Sequence, residues 1–368
     1  MINFGISRSE CTGCAACVNV CGQEAIQMKK GRDGFEYPVV NAEKCVGCMK
    51  CVRVCTARNL KPEVSPQLPL VYGMCSKNEN LRMHSTSGGM FSELAECILN
   101  RGGYVAGAAY NADWSVEQRM IQDRDRLEDL RRSKYQQSNA KLIYRDIKTV
   151  LEGGREALFC GTPCQAGGLK AFLGREYERL TVCDFICRGV TSPKIFAAYI
   201  RDLEEEYGSG VEYVWMKNKC NGWHSLTTVI GFQNGKKYIR KGSEDSYVQL
   251  YLRYNAGVRP SCYQCRFKGE KDVADITLGD FWGLNGTALD DDRGTSAVIC
   301  RTEKGRRLVD EIKGKVRYEE KQINDVKRGN PCLCRPIEKK EQDMDTFYEI
   351  LERKGYRRAV EWIAEKNG

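Results

Sequence analysis

Two cysteine runs with the same internal spacing constrain this chain more than any other feature. Each run has the form Cys-x-x-Cys-x-x-Cys-x-x-x-Cys, and the second follows the first at an offset of 34 residues. The runs consist of Cys11, Cys14, Cys17 and Cys21, then of Cys45, Cys48, Cys51 and Cys55. Gly13 and Gly47 occupy the same position in the two runs, so each begins in a tight loop. This internal repeat predicts two similar metal-binding units in one small module.

Thiolates at this spacing are typical of 4Fe–4S clusters. Three cysteines of a run bind one cluster, and the fourth binds the other cluster in the two-cluster ferredoxin arrangement. We therefore assign Cys11, Cys14, Cys17 and Cys55 to one cluster, and Cys45, Cys48, Cys51 and Cys21 to the other. A pair of zinc knuckles is the alternative, but zinc sites use four ligands and separate their ligand pairs by a longer gap.

The residue after the fourth cysteine departs from the ferredoxin pattern, in which a proline stands there. Gly22 follows Cys21, and Thr56 follows Cys55. Because proline is not a ligand, we expect both clusters to be retained and the hydrogen bonding to their sulfurs to change.

Composition restricts where such a chain can work. Twenty cysteines, with no basic region and apolar run at the N-terminus, favour thiols held for metal in a reducing cytoplasm. No stretch approaches the length of apolar residues that a membrane span needs. The sensitivity of such clusters to oxygen favours anaerobic life.

The net charge of +9 does not indicate a nucleic-acid partner. That charge counts the cysteines as neutral, whereas a cluster with four thiolates carries about −2. The basic residues are scattered, and no nucleic-acid-binding motif is present. His84 and His224 are the only histidines, which argues against His-ligated metal and against a histidine general base.

Three prolines in residues 60–70 predict an extended linker. We expect an α+β ferredoxin-like module at 1–60, the linker at 61–70, a larger domain at 71–340 and a helical tail at 341–368. At 368 residues the chain is long enough for this division.

The larger domain alternates between strand and helix patterns, which predicts an α/β fold. Expected strands lie at 71–75, 104–110, 157–160, 181–186, 275–278 and 297–301, and expected helices lie around 91–99, 147–151, 195–207 and 343–366. Ser192 and Pro193 form a cap-and-first-turn signal. Asn234-Gly235 predicts a hairpin, so we expect a mixed rather than a purely parallel sheet.

Two polar stretches outside the module are candidate ligand contacts. Ser87, Gly88 and Gly89 precede an amphipathic helix, where backbone N–H groups favour an anion such as a pyrophosphate. An ordinary helix cap explains them equally well. The run 133–138 contains Lys134 and Tyr135, and a solvated loop is its simpler interpretation.

Two cysteine-containing stretches complete the candidates. Gly161, Thr162, Cys164 and Gln165 join a strand to a helix, where ligands of open α/β sheets collect. Cys262-x-x-Cys265 precedes an expected strand, and such a pair alone is compatible with zinc, a redox pair or chance.

Together these motifs resemble one known family. Phe-Cys-Gly-Thr-Pro-Cys-Gln (159–165), Asp-Phe-Ile-Cys-Arg-Gly (184–189) and Asp-Ile-Thr-Leu-Gly-Asp-Phe-Trp-Gly (275–283) are similar to motifs of the coenzyme F420-reducing hydrogenase beta subunit and its relatives. The similarity covers about residues 71–300, with a ferredoxin module fused in front. Many relatives have Cys-His-Gly at 187–189 and proline at 191, where this chain has Arg188 and Thr191.

The resemblance implies FAD and a third 4Fe–4S cluster. The implied ligands of that cluster are Cys164, Cys187, Cys262 and Cys265. The implied flavin or substrate contacts are Ser87, Gly88, Gly89, Ser133, Lys134, Tyr135, Ser138, Gly161, Thr162, Gln165 and Asp280. We interpret Cys75, Cys97, Cys160, Cys183 and Cys300 as core residues, and leave Cys332 and Cys334 unassigned.

The resulting hypothesis is an iron–sulfur flavoprotein oxidoreductase. It would pass electrons between ferredoxin-type clusters and, through FAD, a deazaflavin such as coenzyme F420 or a small substrate. Its partner would be a redox protein or a low-potential electron carrier. The alternatives are an electron-transfer subunit of a larger complex without a substrate site, and a redox sensor. No residue stands out as an acid–base catalyst.

Overall fold

The computed structural model describes residues 5–59, 68–269, 273–284 and 286–367. Its N-terminal module has two antiparallel strands, with Ile26 opposite Val40, and three short helices. These elements are α1 (Ala16–Val20), β1 (Ile26–Lys30), β2 (Glu36–Val40), α2 (Lys50–Arg53) and α3 (Thr56–Asn59). Helix α1 lies within the first cysteine run and α2 within the second, so the repeat in the sequence is also a repeat in structure.

The rest of the described chain forms two sheets with helices around them. Its strands are β3 (Leu70–Ser76), β4 (Tyr104–Tyr110), β5 (Val116–Ile121), β6 (Ala157–Cys160), β7 (Leu180–Phe185), β8 (Val211–Asn218), β9 (Thr227–Phe232), β10 (Lys237–Arg240), β11 (Ile276–Asp280), β12 (Ser296–Cys300) and β13 (Val316–Lys321). Its helices are α4 (Glu79–Met83), α5 (Met90–Asn100), α6 (Leu127–Leu130), α7 (Ile143–Glu152), α8 (Pro163–Leu173), α9 (Pro193–Tyr207), α10 (Ser246–Leu252), α11 (Glu303–Ile312), α12 (Ile323–Gly329), α13 (Met344–Lys354) and α14 (Tyr356–Asn367).

The main sheet has eight strands in the order β13-β3-β12-β11-β7-β6-β4-β5. Strands β11, β7, β6 and β4 run parallel to one another. Strand β5 is antiparallel to β4, β12 is antiparallel to both β11 and β3, and β13 is antiparallel to β3. The four parallel strands end at Asp280, Phe185, Cys160 and Tyr110. We call this side of the sheet the carboxyl edge, because ligands of open α/β sheets bind there.

The expected mixed sheet is confirmed, but the reason given for it is wrong. Asn234 and Gly235 do connect a hairpin, β9–β10, yet that hairpin joins β8 in a separate three-stranded sheet. The main sheet is mixed because β5, β12 and β13 reverse direction. A hairpin signal is local, so it does not specify which sheet receives the hairpin.

The two faces of the main sheet are covered by different helices. Adjacent residues of β6 alternate, with Leu158 packed among side chains of α5 and α11 and Phe159 among those of α7 and α8. Ala15 and Ala16 of the N-terminal module lie in the second of these cores, beside Leu169. The module is therefore packed directly against α8, and this position determines where its clusters lie.

The helix α9 agrees with its sequence signals. It begins at Pro193, and the Ser192 hydroxyl oxygen accepts hydrogen bonds from the backbone N–H groups of Lys194 at 3.2 Å and Ile195 at 3.4 Å. Such a cap satisfies backbone donors that a helix start leaves unpaired.

The expected C-terminal helix is two helices, α13 and α14, separated at Gly355, which has a φ of 84°. Phe347 and Ile363 are buried in one core with Tyr199 and Ile230, so these helices pack against α9 and the small sheet. The expected linker at 61–70 lies mostly outside the described residues. No helix among the described residues is long and apolar enough to cross a membrane.

Candidate iron–sulfur centres and the adjoining polar site

The first predicted ligand set comes together in the structure. Burial raises the pKa of the Cys17 thiol well above its usual range, and the charges of Cys14, Cys11 and Cys55 raise it further. Burial also raises the pKa of Cys55, which interacts with Cys14 and Cys11. The fourth thiol thus comes from the second run, as the exchanged arrangement requires.

The second predicted set lies nearer the surface. Burial raises the pKa of Cys51, and the charges of Cys48 and Cys21 act in the same direction. Cys21 of the first run therefore lies beside the second run. Cys48 is exposed, and Cys45 belongs to the same loop.

The third set is gathered from three distant parts of the chain. Cys164 lies in the first turn of α8, Cys187 follows β7, and Cys262 and Cys265 lie in or beside the 3-10 turn Pro260–Gln264. Burial raises the pKa of Cys164 well above its usual range, and the charges of the other three cysteines add to this effect. The Thr162 hydroxyl lies 3.1 Å from the Cys164 sulfur and is a candidate donor to it.

The donor chemistry of these thiol groups suits iron–sulfur clusters. Within the ranges that the structure describes, no three His, Cys, Asp or Glu side chains have the geometry to hold a single metal ion. A 4Fe–4S cluster places each of four thiolates on a different iron, so its ligands do not close around one point. The all-cysteine donor sets also suit iron–sulfur chemistry.

The first and third groups are adjacent across α8. Gly168 lies one turn after Cys164, and a Cβ on Gly168 would be 3.2 Å from the Cys14 sulfur. The Tyr144 hydroxyl lies 2.7 Å from the carbonyl oxygen of Cys14 and 3.0 Å from that of Gln165. A glycine and a fully buried tyrosine therefore hold the two groups in close contact.

The atypical residues near the ligands have identifiable contacts. The Thr56 hydroxyl lies 3.8 Å from the Cys14 sulfur, so Thr56 supplies a polar group that proline lacks. The Arg188 guanidinium donates to the carbonyl oxygens of Tyr251 at 2.8 Å and Leu252 at 3.0 Å. Arg188 thus caps the C-terminal end of α10.

The cysteines outside the three predicted ligand sets differ in burial. Cys75, Cys183 and Cys300 are buried, whereas Cys97 and Cys160 are partly exposed. Cys160 lies opposite Cys183 in the register of β6 and β7. Cys332 interacts electrostatically with Cys187, and Lys268 donates to the carbonyl oxygens of both residues. Cys334 is exposed.

The stretch at 87–89 is pressed against the sheet. A Cβ on Gly88 would overlap the Met74 carbonyl oxygen, and the Gly88 N–H donates to the Ser296 hydroxyl at 3.0 Å. The Ser87 hydroxyl donates to the Thr295 carbonyl oxygen at 2.6 Å. Gly89 has a φ of 86° and caps α5. Close packing against β3 and β12 thus explains why position 88 is a glycine. The hydrogen bonds of Ser87 and Gly88 also use donors that we expected to face an anion.

The polar run 133–138 connects the other predicted contacts. The Ser133 N–H donates to the Thr86 hydroxyl at 3.1 Å, which joins this run to the 87–89 stretch. The side-chain amide of Gln165 donates from Nε2 to the Ser138 hydroxyl at 3.0 Å, and its Oε1 accepts from the Thr162 backbone N–H at 3.2 Å. Ser138, Thr162 and Gln165 therefore fasten the start of α8 to this run.

Lys134 and Asp280 lie at the carboxyl edge in different electrostatic settings. Burial lowers the pKa of Lys134 to about 7, and the Arg132 charge acts in the same direction. Its ammonium donates to the Arg131 carbonyl oxygen at 2.6 Å. Asp280 forms an ion pair with Lys217 and accepts a hydrogen bond from Trp223 Nε1 at 3.1 Å.

Sequence reasoning missed Lys217 and Lys219, because lysines on a strand and the turn after it give no motif. Lys219 is buried and donates to the carbonyl oxygens of Arg82, at 2.6 Å, and Ser87. Burial lowers its pKa to about 7. No carboxylate of the described residues lies within 4 Å of the Lys134 or Lys219 ammonium. Two enclosed amines without carboxylate partners fit an anionic ligand at this edge.

The cavities lie beside these residues rather than among them. A cavity next to Tyr135 and Lys217 has a volume of about 10 Å³. A cleft of about 370 Å³ is lined by Asn78, Asn80, Leu81, His84, Glu96, Glu128 and Arg131. None of the predicted flavin contacts lines that cleft, and the cavity beside Tyr135 is too small for an isoalloxazine ring.

The fold and the thiol groups define an iron–sulfur protein built on a mixed α/β domain. Residues 10–59 match the model of a 4Fe–4S dicluster domain, and residues 154–326 match that of the C-terminal region of the coenzyme F420 hydrogenase/dehydrogenase beta subunit. Residues 154–326 therefore form a C-terminal domain of the coenzyme F420 hydrogenase/dehydrogenase beta subunit family, behind a dicluster domain at 10–59, and the chain is an iron–sulfur electron-transfer protein.

A chain of the F420-reducing [NiFe] hydrogenase complex from Methanosarcina barkeri is among the similar solved structures. The match has 16% sequence identity and a TM-score of 0.49, and it covers 82% of this chain and 91% of that chain. No curated protein matches this chain.

Proposed function

We propose that this protein is an iron–sulfur flavoprotein oxidoreductase with three 4Fe–4S clusters and FAD. It works in a reducing, anaerobic cytoplasm and exchanges electrons with a redox protein or another low-potential carrier. The proximity of Cys14 to Gly168, one turn from Cys164, is the single observation that carries this proposal. It supports a continuous electron route from the dicluster module to the carboxyl edge of the main sheet.

The residues have separate tasks along this route. The eight cysteines of the repeat hold two clusters, and Cys164, Cys187, Cys262 and Cys265 hold the third. Tyr144 and Gly168 keep the first and third cysteine groups in contact. The polar stretches 87–89 and 133–138 are joined to each other through Thr86 and Ser133, so they act as one support at the carboxyl edge.

We place FAD at that edge, beside Lys134, Tyr135 and Asp280. Lys134 and Lys219 supply positive charge toward an anionic ligand, and the Asp280–Lys217 ion pair presents a fixed polar surface. When bound, FAD supplies the exchange between single electrons and the hydride of a two-electron carrier such as coenzyme F420 or of a small substrate.

Anaerobic cofactor analysis of the purified protein tests this proposal. Three clusters require about twelve iron and twelve sulfide per chain, whereas the dicluster module alone requires about eight of each. We expect twelve iron, twelve sulfide and one FAD. Eight iron without flavin would contradict both the third cluster and the flavoprotein assignment.

An electron-transfer subunit without its own substrate site is the second candidate. The small cavity beside Tyr135 favours it, because a volume of about 10 Å³ has room for neither a flavin ring nor a substrate. Twelve iron without flavin in the isolated chain would support this candidate over the first.

A further inference from the structure

The two cysteine loops of the dicluster module are equivalent in sequence but differ in their surroundings. The 34-residue offset relates Gly13 to Gly47 and Ala15 to Met49. Backbone geometry follows the repeat, since Ala15 and Met49 have φ values of 60° and 61°. Differences between the loops therefore arise from their neighbours rather than from their backbone.

The first loop is covered by the larger domain. Ala15 is 3% exposed and lies in the core beside Leu169. A Cβ on Gly13 would be 2.7 Å from the Gln137 side chain and 2.8 Å from that of Arg259. This loop is thus an internal interface, and its face cannot meet another protein.

Among the described residues, nothing covers the second loop in this way. Val46 and Met49 are 67% and 43% exposed, and Cys48 between them is exposed as well. A Cβ on Gly47 would meet no atom within 4 Å. We call the exposed side chains of Val46 and Met49 the apolar tip of the second loop. The larger domain covers the equivalent position of the first loop, at Ala15.

Exposed basic residues flank this tip in the sequence. Lys44, Lys50 and Arg53 are exposed, and none lies within 4 Å of a carboxylate of the described residues. Glu43 is the only acidic residue between positions 41 and 53. A cluster with four thiolates carries about −2 and would repel an acidic protein, so free cations around it offset that repulsion.

We propose that residues 44–53 form the docking face for an acidic one-electron carrier protein. Val46 and Met49 contact the carrier near its own redox centre, and Lys44, Lys50 and Arg53 attract its carboxylates. This inference rests on the electron-transfer part of the proposed function, and it does not depend on FAD. It places the exchange of electrons with the partner at the second cluster rather than at the first.

Stopped-flow reduction of the anaerobic holoprotein tests this face. The test variant carries Lys44→Glu and Arg53→Glu, and the matched control carries Lys236→Glu in the β9–β10 turn and Lys237→Glu at the start of β10, both exposed. The electron donors are a reduced acidic ferredoxin and, separately, dithionite. Iron content and cluster absorbance verify that each variant retains its clusters.

We expect the test variant to lose about tenfold in the second-order rate with ferredoxin at low salt, because charge complementarity raises association rates. Added salt should slow the wild type and narrow that difference. The control variant should match the wild type, and dithionite should reduce all three proteins equally. Loss of the ferredoxin rate in a protein that lacks flavin still supports the docking face while contradicting the flavoprotein assignment.

Two results would overturn the docking proposal. One is a ferredoxin rate that is equal in the wild type and the test variant, or absent in both. The other is a wild-type dimer in sedimentation that Val46→Ser converts to a monomer, since a second copy of this chain would then occupy the face.

Discussion

Arg259 donates a hydrogen bond from Nε to the carbonyl oxygen of Cys11 at 2.8 Å, although the two residues lie 248 positions apart. Its Nη2 lies 3.7 Å from the Cys11 sulfur, and its guanidinium carbon lies 4.6 Å from the centre of the Tyr37 ring. Arg259 is 1% exposed, and no carboxylate of the described residues lies within 4 Å of its guanidinium. The larger domain thus inserts a buried cation beside Cys11, a predicted ligand of the first cluster.

Arg259→Gln should lower the reduction potential of the first cluster, because the buried positive charge stabilises the added electron. We expect a decrease of about 59 mV, which corresponds to a tenfold change for a one-electron couple. A potentiometric titration followed by electron paramagnetic resonance measures it. Arg259→Lys keeps the charge and should recover part of the potential. An unchanged potential in a fully loaded Arg259→Gln protein would contradict the prediction.

Cys262→Ser should remove one cluster and leave the other two, because the third ligand set shares no cysteine with the repeat. We expect iron to fall from about twelve to about eight per chain. Cys220→Ser is the matched control, since Cys220 is exposed and belongs to no predicted ligand set. Equal iron loss in both variants would show that the ligand assignment is wrong.

Gly88→Ala should destabilise the protein, because the new Cβ would overlap the carbonyl oxygen of Met74. This oxygen belongs to the backbone of β3, so the overlap is relieved only if the main chain shifts. We expect a loss of about 1–3 kcal/mol in the free energy of unfolding, measured by chemical denaturation under anaerobic conditions. Gly314→Ala is the control, since a Cβ there meets no atom within 4 Å. A Gly88→Ala protein of wild-type stability that has lost FAD would instead support an anion-binding role for this glycine.

FAD affinity should fall as pH rises above about 7. Burial lowers the pKa of Lys134 to about 7, so its amine is neutral above that pH in the flavin-free protein. An anionic ligand favours the ammonium, and binding above pH 7 therefore takes up a proton and weakens as pH increases. Fluorescence titrations from pH 6 to 9 measure this dependence. Lys134→Met should bind more weakly at pH 6 and show a smaller change with pH; identical pH profiles would refute the role of Lys134.

Much of this architecture was predictable because its signals are local. The two cysteine runs predicted a dicluster domain, which the family match at 10–59 confirms, since ligand spacing within one loop limits the cofactor. The strands at 104–110 and 157–160 were predicted with their observed bounds, and the start of α9 followed from Ser192 and Pro193. Alternating patterns and caps depend on neighbours a few positions away, so they can be read from a single sequence.

The sequence by itself thus determined the type of cofactor in the module and the alternation of helices and strands. Only the tertiary structure decided that Gly88 is required by packing, that the hairpin joins a second sheet, and that Arg259 reaches Cys11. The physical reason is that these features depend on contacts between segments far apart in the chain. No periodicity or motif records which distant side chain fills a given space, and the same limit hid Lys219 and the unequal cover of the two cysteine loops.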